Sequence, residues 1–406
     1  MNGAKFIEHI KLKNILSFGN EGQEVVLEPL NVLIGPNSSG KSNLIEIIDL
    51  LHAAPKSMAE AALSIGNVED WMWKGSAFPS IAEIEAVVYD DPFQGDKLQY
   101  VMYFRTLLRR FTVVSEILQG LVDRGDEVVK TSFYSFQKGK ASVYASIPDN
   151  NSNKRQRQEV DISFDEQRGL TRYDSILSQL KDPLQYHQLA IFSESLDEIQ
   201  IYRGFDTGKY ASLRQPQRAD LPNERLLGDA SNLGLVLNRL EVQGQKRRIV
   251  ELLRRVYDRA TDFTIHVQGN TVQFYLHEEG LTQPIAASRL SDGMLHFLCL
   301  VAILVAPSEA SLICIEEPEI GLHPDAMPLI AELLVEASQR TQIIVTTHSE
   351  ALVSALSQTP EAIIVCERDQ DGTKLRRLEA EQLREWLERY TLGDLWRMGE
   401  IGGTRW

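Results

Sequence analysis

This 406-residue sequence predicts an α/β fold built on a parallel sheet, and three observations carry that prediction. A short apolar strand at 31–34 runs into the glycine-rich loop GPNSSGKSN, behind which Leu44, Ile47, Ile48 and Leu51 recur at helical spacing. From residue 285 onward, short unbroken apolar strands alternate with helices, the pattern of strands covered on both faces. The composition, 43% hydrophobic and 24% charged with 26 Gly and 15 Pro, fits a globular chain of two or three domains and excludes collagen-like and disordered polymers.

In chain order, two strands at 6–12 and 23–27 flank the turn residues Gly19, Asn20 and Gly22. The strand–loop–helix unit of residues 31–51 follows, then strand-like runs at 81–88 and 98–104 and more sheet over 132–147. Residues 149–159 (DNNSNKRQRQE) are polar and read as a loop or tip. A helical half comes next. Its clearest element is 246–260, with Ile249, Leu252, Leu253, Val256 and Tyr257 on one face and Arg247, Arg248, Arg254, Arg255 and Arg259 mostly off it. The last part supplies strands at 311–315, 342–347 and 362–366 with helices between them, and no repeat or sustained heptad run is present.

The formal charge of −15 argues against coating nucleic acid or anionic membrane over the whole surface. One stretch departs from it: residues 203–259 hold 12 Lys/Arg against 7 Asp/Glu, net +5, which leaves −20 elsewhere. Arginines off the core face of the 246–260 helix are the expected contact set for DNA or an acidic partner, and pairing with the acidic remainder is the alternative. Cys299, Cys314 and Cys366 lie singly in apolar runs without zinc or redox spacing, and read as buried small hydrophobes in a reducing compartment. The start MNGAKFIEHIKLKN has no signal-peptide core, and the longest uncharged apolar run, 297–306, falls far short of the ~20 residues that span a bilayer. A cytoplasmic protein that uses no membrane is expected.

Gly35-x4-Gly40-Lys41-Ser42 matches a P-loop in its required context, after a strand and before a helix. Such a loop turns backbone N–H groups toward a triphosphate; Lys41 adds a point charge and Ser42 a ligand for Mg²⁺. Downstream, SLICIEEPE is a strand ending in Glu316 and Glu317, which suits one carboxylate for the magnesium shell and one to polarise an attacking water. Ser291, Asp292 and Gly293 open an apolar helix over 295–306, a second anion-binding helix start, and the strand QIIVTT ends in His348, placed to donate to a γ-phosphate. Taken singly, Ser291 also fits a plain N-cap, His348 a satisfied strand-end residue and the Glu pair a solvated strand end. Their order joins them, with 25 residues from Ser291 to Glu316 and 31 from Glu317 to His348.

The segments NVLIGPNSSGKSNLIEII, LSDGMLHFLCLVAIL, SLICIEEPEIGLHPD and IIVTTHSEALV, with weaker support from SILSQLKDP and LRQPQ, resemble the ABC-type ATPase heads of the SMC and RecF group. They are most similar to the RecF-like and OLD-like proteins often called AAA family ATPases. The resemblance implies a P-loop NTPase of ABC/SMC-head type with N-terminal β-strands and a compact α+β insertion lobe. It divides the chain into a first head half at 1–90, the lobe at 91–284 and a second head half at 285–406. It assigns Gly35, Pro36, Asn37, Ser38, Ser39, Gly40, Lys41, Ser42 and Asn43 to the Walker A loop. Ser291, Asp292 and Gly293 become the signature that caps ATP on a second subunit, Glu316 the Walker B acid, Glu317 the catalytic base, His348 the switch histidine and Gln179 the Q-loop residue. Glu316 stands where ABC proteins usually carry Asp, and Ser-Asp-Gly-Met replaces Ser-Gly-Gly-Gln.

The distance of 249 residues from Ser42 to Ser291 exceeds what a transporter ATPase needs and is too short for SMC arms. The 58 residues after His348 are too few for the TOPRIM nuclease domain of OLD-type enzymes, and their aromatic, Gly-rich end is expected to pack on its own domain, with a docking peptide as the alternative. The resulting expectation is an Mg²⁺-dependent ATPase without nuclease activity of its own. It forms a homodimer or higher oligomer on ATP and regulates a separately encoded effector in anti-phage defence. A RecF-like ATPase that binds DNA directly in repair or genome maintenance is the alternative.

Overall fold

The structure is a computed structural model describing residues 3–75, 80–89, 96–123, 128–148, 155–164, 170–307 and 310–404. The N-terminal part runs β1 (Ile7–Lys13), β2 (Gln23–Val26), β3 (Leu30–Ile34), α1 (Lys41–His52) and α2 (Met58–Ile65). It continues through β4 (Ala82–Tyr89), β5 (Lys97–Leu107), β6 (Arg110–Asp123), β7 (Val128–Gln137), β8 (Lys140–Pro148) and β9 (Arg155–Ile162). Seven neighbouring pairs join eight of these strands into one antiparallel sheet in the order β2-β1-β4-β5-β6-β7-β8-β9. The expected division at residue 90 falls between β4 and β5, which pair from Ala82↔Phe104 to Tyr89↔Lys97.

The second part runs α3 (His187–Asp197), β10 (Gln200–Tyr202), β11 (Gln217–Arg218), α4 (Leu233–Val242), α5 (Lys246–Val256), β12 (Ala260–Gln268), β13 (Thr271–Glu278) and β14 (Ile285–Ala286). The third runs α6 (Asp292–Val305), β15 (Leu312–Glu316), α7 (Met327–Ala337), β16 (Gln342–Thr346), α8 (Glu350–Ala355), β17 (Ile363–Asp369), β18 (Gly372–Arg377), α9 (Ala380–Leu387) and α10 (Leu392–Met398). A six-stranded sheet, β10-β15-β16-β3-β17-β18, gathers strands from all three parts. It is parallel except for β18, which returns antiparallel on β17.

Period-2 alternation makes this sheet a wall between two cores. Leu30, Val32, Ile34, Ile313, Ile315, Ile343 and Val345 face a core shared with α4, α5, α6 and α7. Leu33, Leu312, Cys314, Ile344, Ile364 and Cys366 face the other, shared with α1, α2, α3 and the antiparallel sheet. Both faces being covered, strands of unbroken apolar residues are what the sequence had to supply. The three cysteines are buried and free, and burial pushes the Cys366 thiol up to about 12.

Two expectations are corrected. The polar run 149–159 was expected as a loop; residues 149–154 lie outside the described residues, but 155–162 form β9, paired with β8 from Ala141↔Ile162 to Pro148↔Arg155. A strand at the end of the sheet order, largely open to water, needs no apolar alternation, and Arg157 lies 4.8 Å over both the Phe133 and Tyr144 rings. The helical half also contains a hairpin. The 246–260 helix stops at Val256, Tyr257 turns extended, and β12 and β13 pair from Ala260↔Glu278 to Gln268↔Thr271, burying Phe263, Phe274 and Leu276.

Candidate functional site

The P-loop leaves β3 at its carboxyl end and enters α1 through Gly40, whose φ of 102° is left-handed. A Cβ there would lie 2.2 Å from Thr373 Oγ1, so only glycine lets β18 come this close. Thr373 uses the approach: its hydroxyl donates to the Ser39 carbonyl at 2.9 Å and shares a hydrogen bond with the Ser17 hydroxyl at 2.7 Å. The first turn of α1 has no side-chain cap and no acidic residue, so its N–H groups are left for an anion. Lys41 is buried and its ammonium donates back to the carbonyls of Gly35 (2.8 Å) and Pro36 (2.9 Å). Burial holds its pKa below the usual lysine range. A cation among carbonyls, beside uncapped amides, is the donor set a phosphate chain requires.

Parallel pairing brings the other strand ends to the same edge. Glu316 closes β15 opposite Thr346, near enough to the Ser42 hydroxyl for Ser42 to favour its ionised form. Burial raises the Glu316 pKa against the opposing effects of Arg203 and Ser42. Glu317 follows at φ 47°, pinned in this uncommon conformation by its N–H donating to the Thr346 carbonyl at 2.9 Å. Its Oε1 lies 3.9 Å from His348 Nε2. Burial, reinforced by the Lys41 charge, lowers the His348 pKa and favours neutral imidazole.

The segment 291–293 is built separately. Ser291 caps α6 by accepting from Met294 N–H at 3.2 Å. Gly293 packs so closely on the 317–323 turn that a Cβ would meet the Gly321 carbonyl at 2.5 Å. Buried Arg214 ties the approach to α6: its guanidinium donates to the Leu290 carbonyl at 2.7 Å, to the Thr207 carbonyl at 2.7 Å and to the Asp292 carboxylate.

Two clefts open beside the P-loop, of ≈ 730 Å³ and ≈ 380 Å³. Pro36 and Asn37 line both, Glu367, Arg368 and Lys374 the first, and His348, Glu350 and Arg397 the second. Among the described residues, the linings of these clefts take in His348 but none of Lys41, Ser42, Glu316, Glu317, Ser291, Asp292 and Gly293. The Gly-rich tail packs here on its own chain. Trp396 Nε1 donates to the Gly403 carbonyl at 3.1 Å, Gly403 N–H donates to Glu367 Oε1 at 2.9 Å, and Thr404 lines both clefts.

The structure thus brings together Lys41, Ser42, Glu316, Glu317 and His348, with 291–293 at the start of α6 against the 317–323 turn. Gln179 is not with them: its amide closes a local loop, accepting from Thr171 N–H at 2.7 Å and donating to the carbonyls of Thr171, Asp174 and Ser175. Two residues escaped the sequence reading. Glu319 accepts from Thr347 Oγ1 at 2.8 Å and His348 N–H at 2.6 Å, and its signal was the third acid of EEPE. Arg203, at the end of β10 beside β15, donates to Asp49 at 2.8 Å and approaches Glu316 Oε1 at 3.3 Å. The 203–259 arginines are largely engaged. Arg247 pairs with Glu251, Arg248 with Glu336, Arg255 with Glu332 and Arg259 with Glu278, and Arg254 donates to the Ala260 and Thr261 carbonyls.

Comparison with known proteins gives a family and a fold. The family model described as "AAA domain, putative AbiEii toxin, Type IV TA system" matches residues 30–354. The Old nuclease of Escherichia phage P2 is 41% identical over 76 residues, 18% of this chain and 13% of that protein, so the match spans a small part of that relative's length. Two solved structures share the fold over nearly the whole chain. One is an Smc head bound to the C-winged helix domain of ScpA (TM-score 0.57, 15% identity, 93% of this chain and 99% of that one). The other is an Smc head with an extended coiled coil bound to the C-terminal domain of ScpA from Pyrococcus furiosus (TM-score 0.55, 14% identity, 94% and 98%).

Proposed function

The chain belongs to this AAA-domain family and carries a P-loop ATPase domain with the fold of SMC heads, and from that premise we propose that it is an Mg²⁺-dependent ATPase whose two copies close on ATP to control a separate effector protein. The observation that carries the reading is the convergence of Lys41, Ser42, Glu316, Glu317 and His348 on one edge of a parallel sheet, from three strands and the loops that leave them. Ligands bind at the carboxyl ends of such strands.

In this reading Lys41 and the α1 amides hold the triphosphate. Mg²⁺ fits the hard oxygen donors Ser42 and Glu316, and when bound it neutralises charge on the phosphates. The Glu317 carboxylate accepts the proton of the attacking water as the terminal phosphate–oxygen bond breaks, giving ADP and phosphate. Neutral His348 donates to the γ-phosphate, and Glu319 fixes its backbone. Ser291, Asp292 and Gly293, at the exposed start of α6, complete the site of a second copy in this reading.

Control of a separate effector, with a place in anti-phage defence, is supported by the family description, which names a toxin–antitoxin system, and by the Smc heads, which were solved holding a separate protein. Direct DNA binding through the 246–260 arginines has less support, because those arginines pair within the chain.

Glu317→Gln tests the reading. The variant should bind ATP, lose turnover by about 10²–10⁴-fold as expected for removal of a general base, and double its mass in sedimentation only when ATP is present. A variant that hydrolyses at the parent rate, or whose mass ignores ATP, refutes it.

A further inference from the structure

The most informative unassigned feature is Arg203. It leaves the carboxyl end of β10, whose register places Tyr202 opposite Ile315 and so puts Arg203 level with Glu316. Its guanidinium lies 3.3 Å from Glu316 through Nε and donates to Asp49 at 2.8 Å through Nη2. Asp49 and Glu46 sit one turn apart on α1, and burial raises the Glu46 carboxyl while Arg203 opposes it. One cation therefore stands among the three carboxylates of Glu316, Asp49 and Glu46.

We propose that Arg203 is the resident counter-cation of the metal position, a positioning residue that holds the Glu316 carboxylate and competes with a divalent cation for it. The proposal rests on the assignment of Glu316 to the magnesium shell. Three features favour competition over a merely structural pair. The side chain is 40% exposed, so the fold does not depend on it. Its second anchor, Asp49, lies on the P-loop helix itself and can keep the guanidinium when Glu316 turns to a metal. Glu316 is the better-buried partner, at 17% exposure, so its charge needs a cation at all times.

Mn²⁺ titration followed by electron paramagnetic resonance, on the full chain with ADP, provides the test. Arg203→Ala should bind Mn²⁺ about fivefold more tightly, the scale of a part-exposed ion pair. Arg203→Lys should return to within about twofold of the parent by restoring the charge. Unchanged or weaker Mn²⁺ binding by Arg203→Ala, or equal tightening by both variants, overturns the proposal. Glu316→Gln separates the two levels. If it weakens Mn²⁺ binding while Arg203→Ala does nothing, Arg203 alone is misassigned; if Glu316→Gln leaves Mn²⁺ binding intact, the assignment of Glu316 fails and the Arg203 role goes with it.

Discussion

Replacing Arg214 with Met should uncouple the 291–293 segment while leaving the P-loop intact. The side chain is only 8% exposed, and Met keeps most of its buried stem while removing every donor. Two of its hydrogen bonds, to the Thr207 and Leu290 carbonyls at 2.7 Å, are short and charge-assisted, and bonds of that kind contribute about 1.5–3 kcal/mol each. The arm to Asp292 adds little, since that carboxylate is 67% exposed. The desolvation cost of the guanidinium offsets part of this, so a net loss of about 2–4 kcal/mol is expected, concentrated where Leu290 and Asp292 set the start of α6. If 291–293 completes a partner's site, that loss weakens the ATP-bound dimer by about thirtyfold or more. In a Glu317→Gln background, sedimentation with ATP reads the dimer constant and hydrogen exchange over 287–295 reads the local loosening. Arg218→Met, which removes an exposed arginine paired only with Asp220, is the control and should change neither. A dimer constant and exchange pattern equal to the parent's refute the coupling.

Two further outcomes follow from other parts of the molecule. Glu116 is fully buried, accepts from Tyr100, Ser175 and Ile176, and has its pKa raised by burial to about 7. Its folded pKa exceeds the unfolded value near 4.5, so its stability cost is absent at low pH, grows as pH rises between the two values and reaches about 3 kcal/mol above pH 7; urea midpoints of Glu116→Gln should lose that decline between pH 5 and 8, and a parallel decline in parent and variant refutes it. Gly403→Val forces a β-branched residue to φ 71° with its Cβ 3.0 Å from Val365 and 3.5 Å from Gly35 Cα, costing about 1–2 kcal/mol in backbone strain; affinity for a fluorescent ATP analogue should fall several-fold, and unaltered affinity would mean that the tail does not support the P-loop.

What the sequence disclosed followed from local rules. The strand before Gly35, the helix behind Ser42 and the apolar strands ending at Glu316 and His348 each obey a short-range pattern, and parallel pairing then has few ways to arrange them. What it hid depends on long-range partners. Gln179 was implied as a Q-loop residue by the weaker resemblance of SILSQLKDP, yet its amide is saturated by Thr171, Asp174 and Ser175 within its own loop. Arg203 carries no motif, and only the register of a three-residue edge strand sets it beside Glu316. The net +5 of residues 203–259 looked like a binding face because charge counts ignore partners; Glu332 and Glu336, which answer Arg255 and Arg248, lie on α7, about 80 residues away in sequence. β9 was missed because a strand largely open to water has no apolar face to announce it.

The arrangement also bears on where a nucleotide-driven change would be expressed. The ends of β15 and β16 are tied together: Glu317 N–H donates to Thr346, and Glu319 accepts from Thr347 and His348. The P-loop is tied to β18 through Thr373. Groups that must stay within a fraction of an ångström for phosphoryl transfer are therefore held by hydrogen bonds between neighbouring strands of one sheet, and close-packed cores on both sides resist their relative movement. The start of α6 is held differently, by one buried arginine and one glycine contact to the 317–323 turn. The turn that follows Glu317 thus reaches the start of α6 directly, Gly321 against Gly293, at the surface proposed to meet the second copy. In the proposed dimer that surface lies outside the catalytic strands, so the Arg214 variant is expected to lose dimerisation before it loses nucleotide affinity.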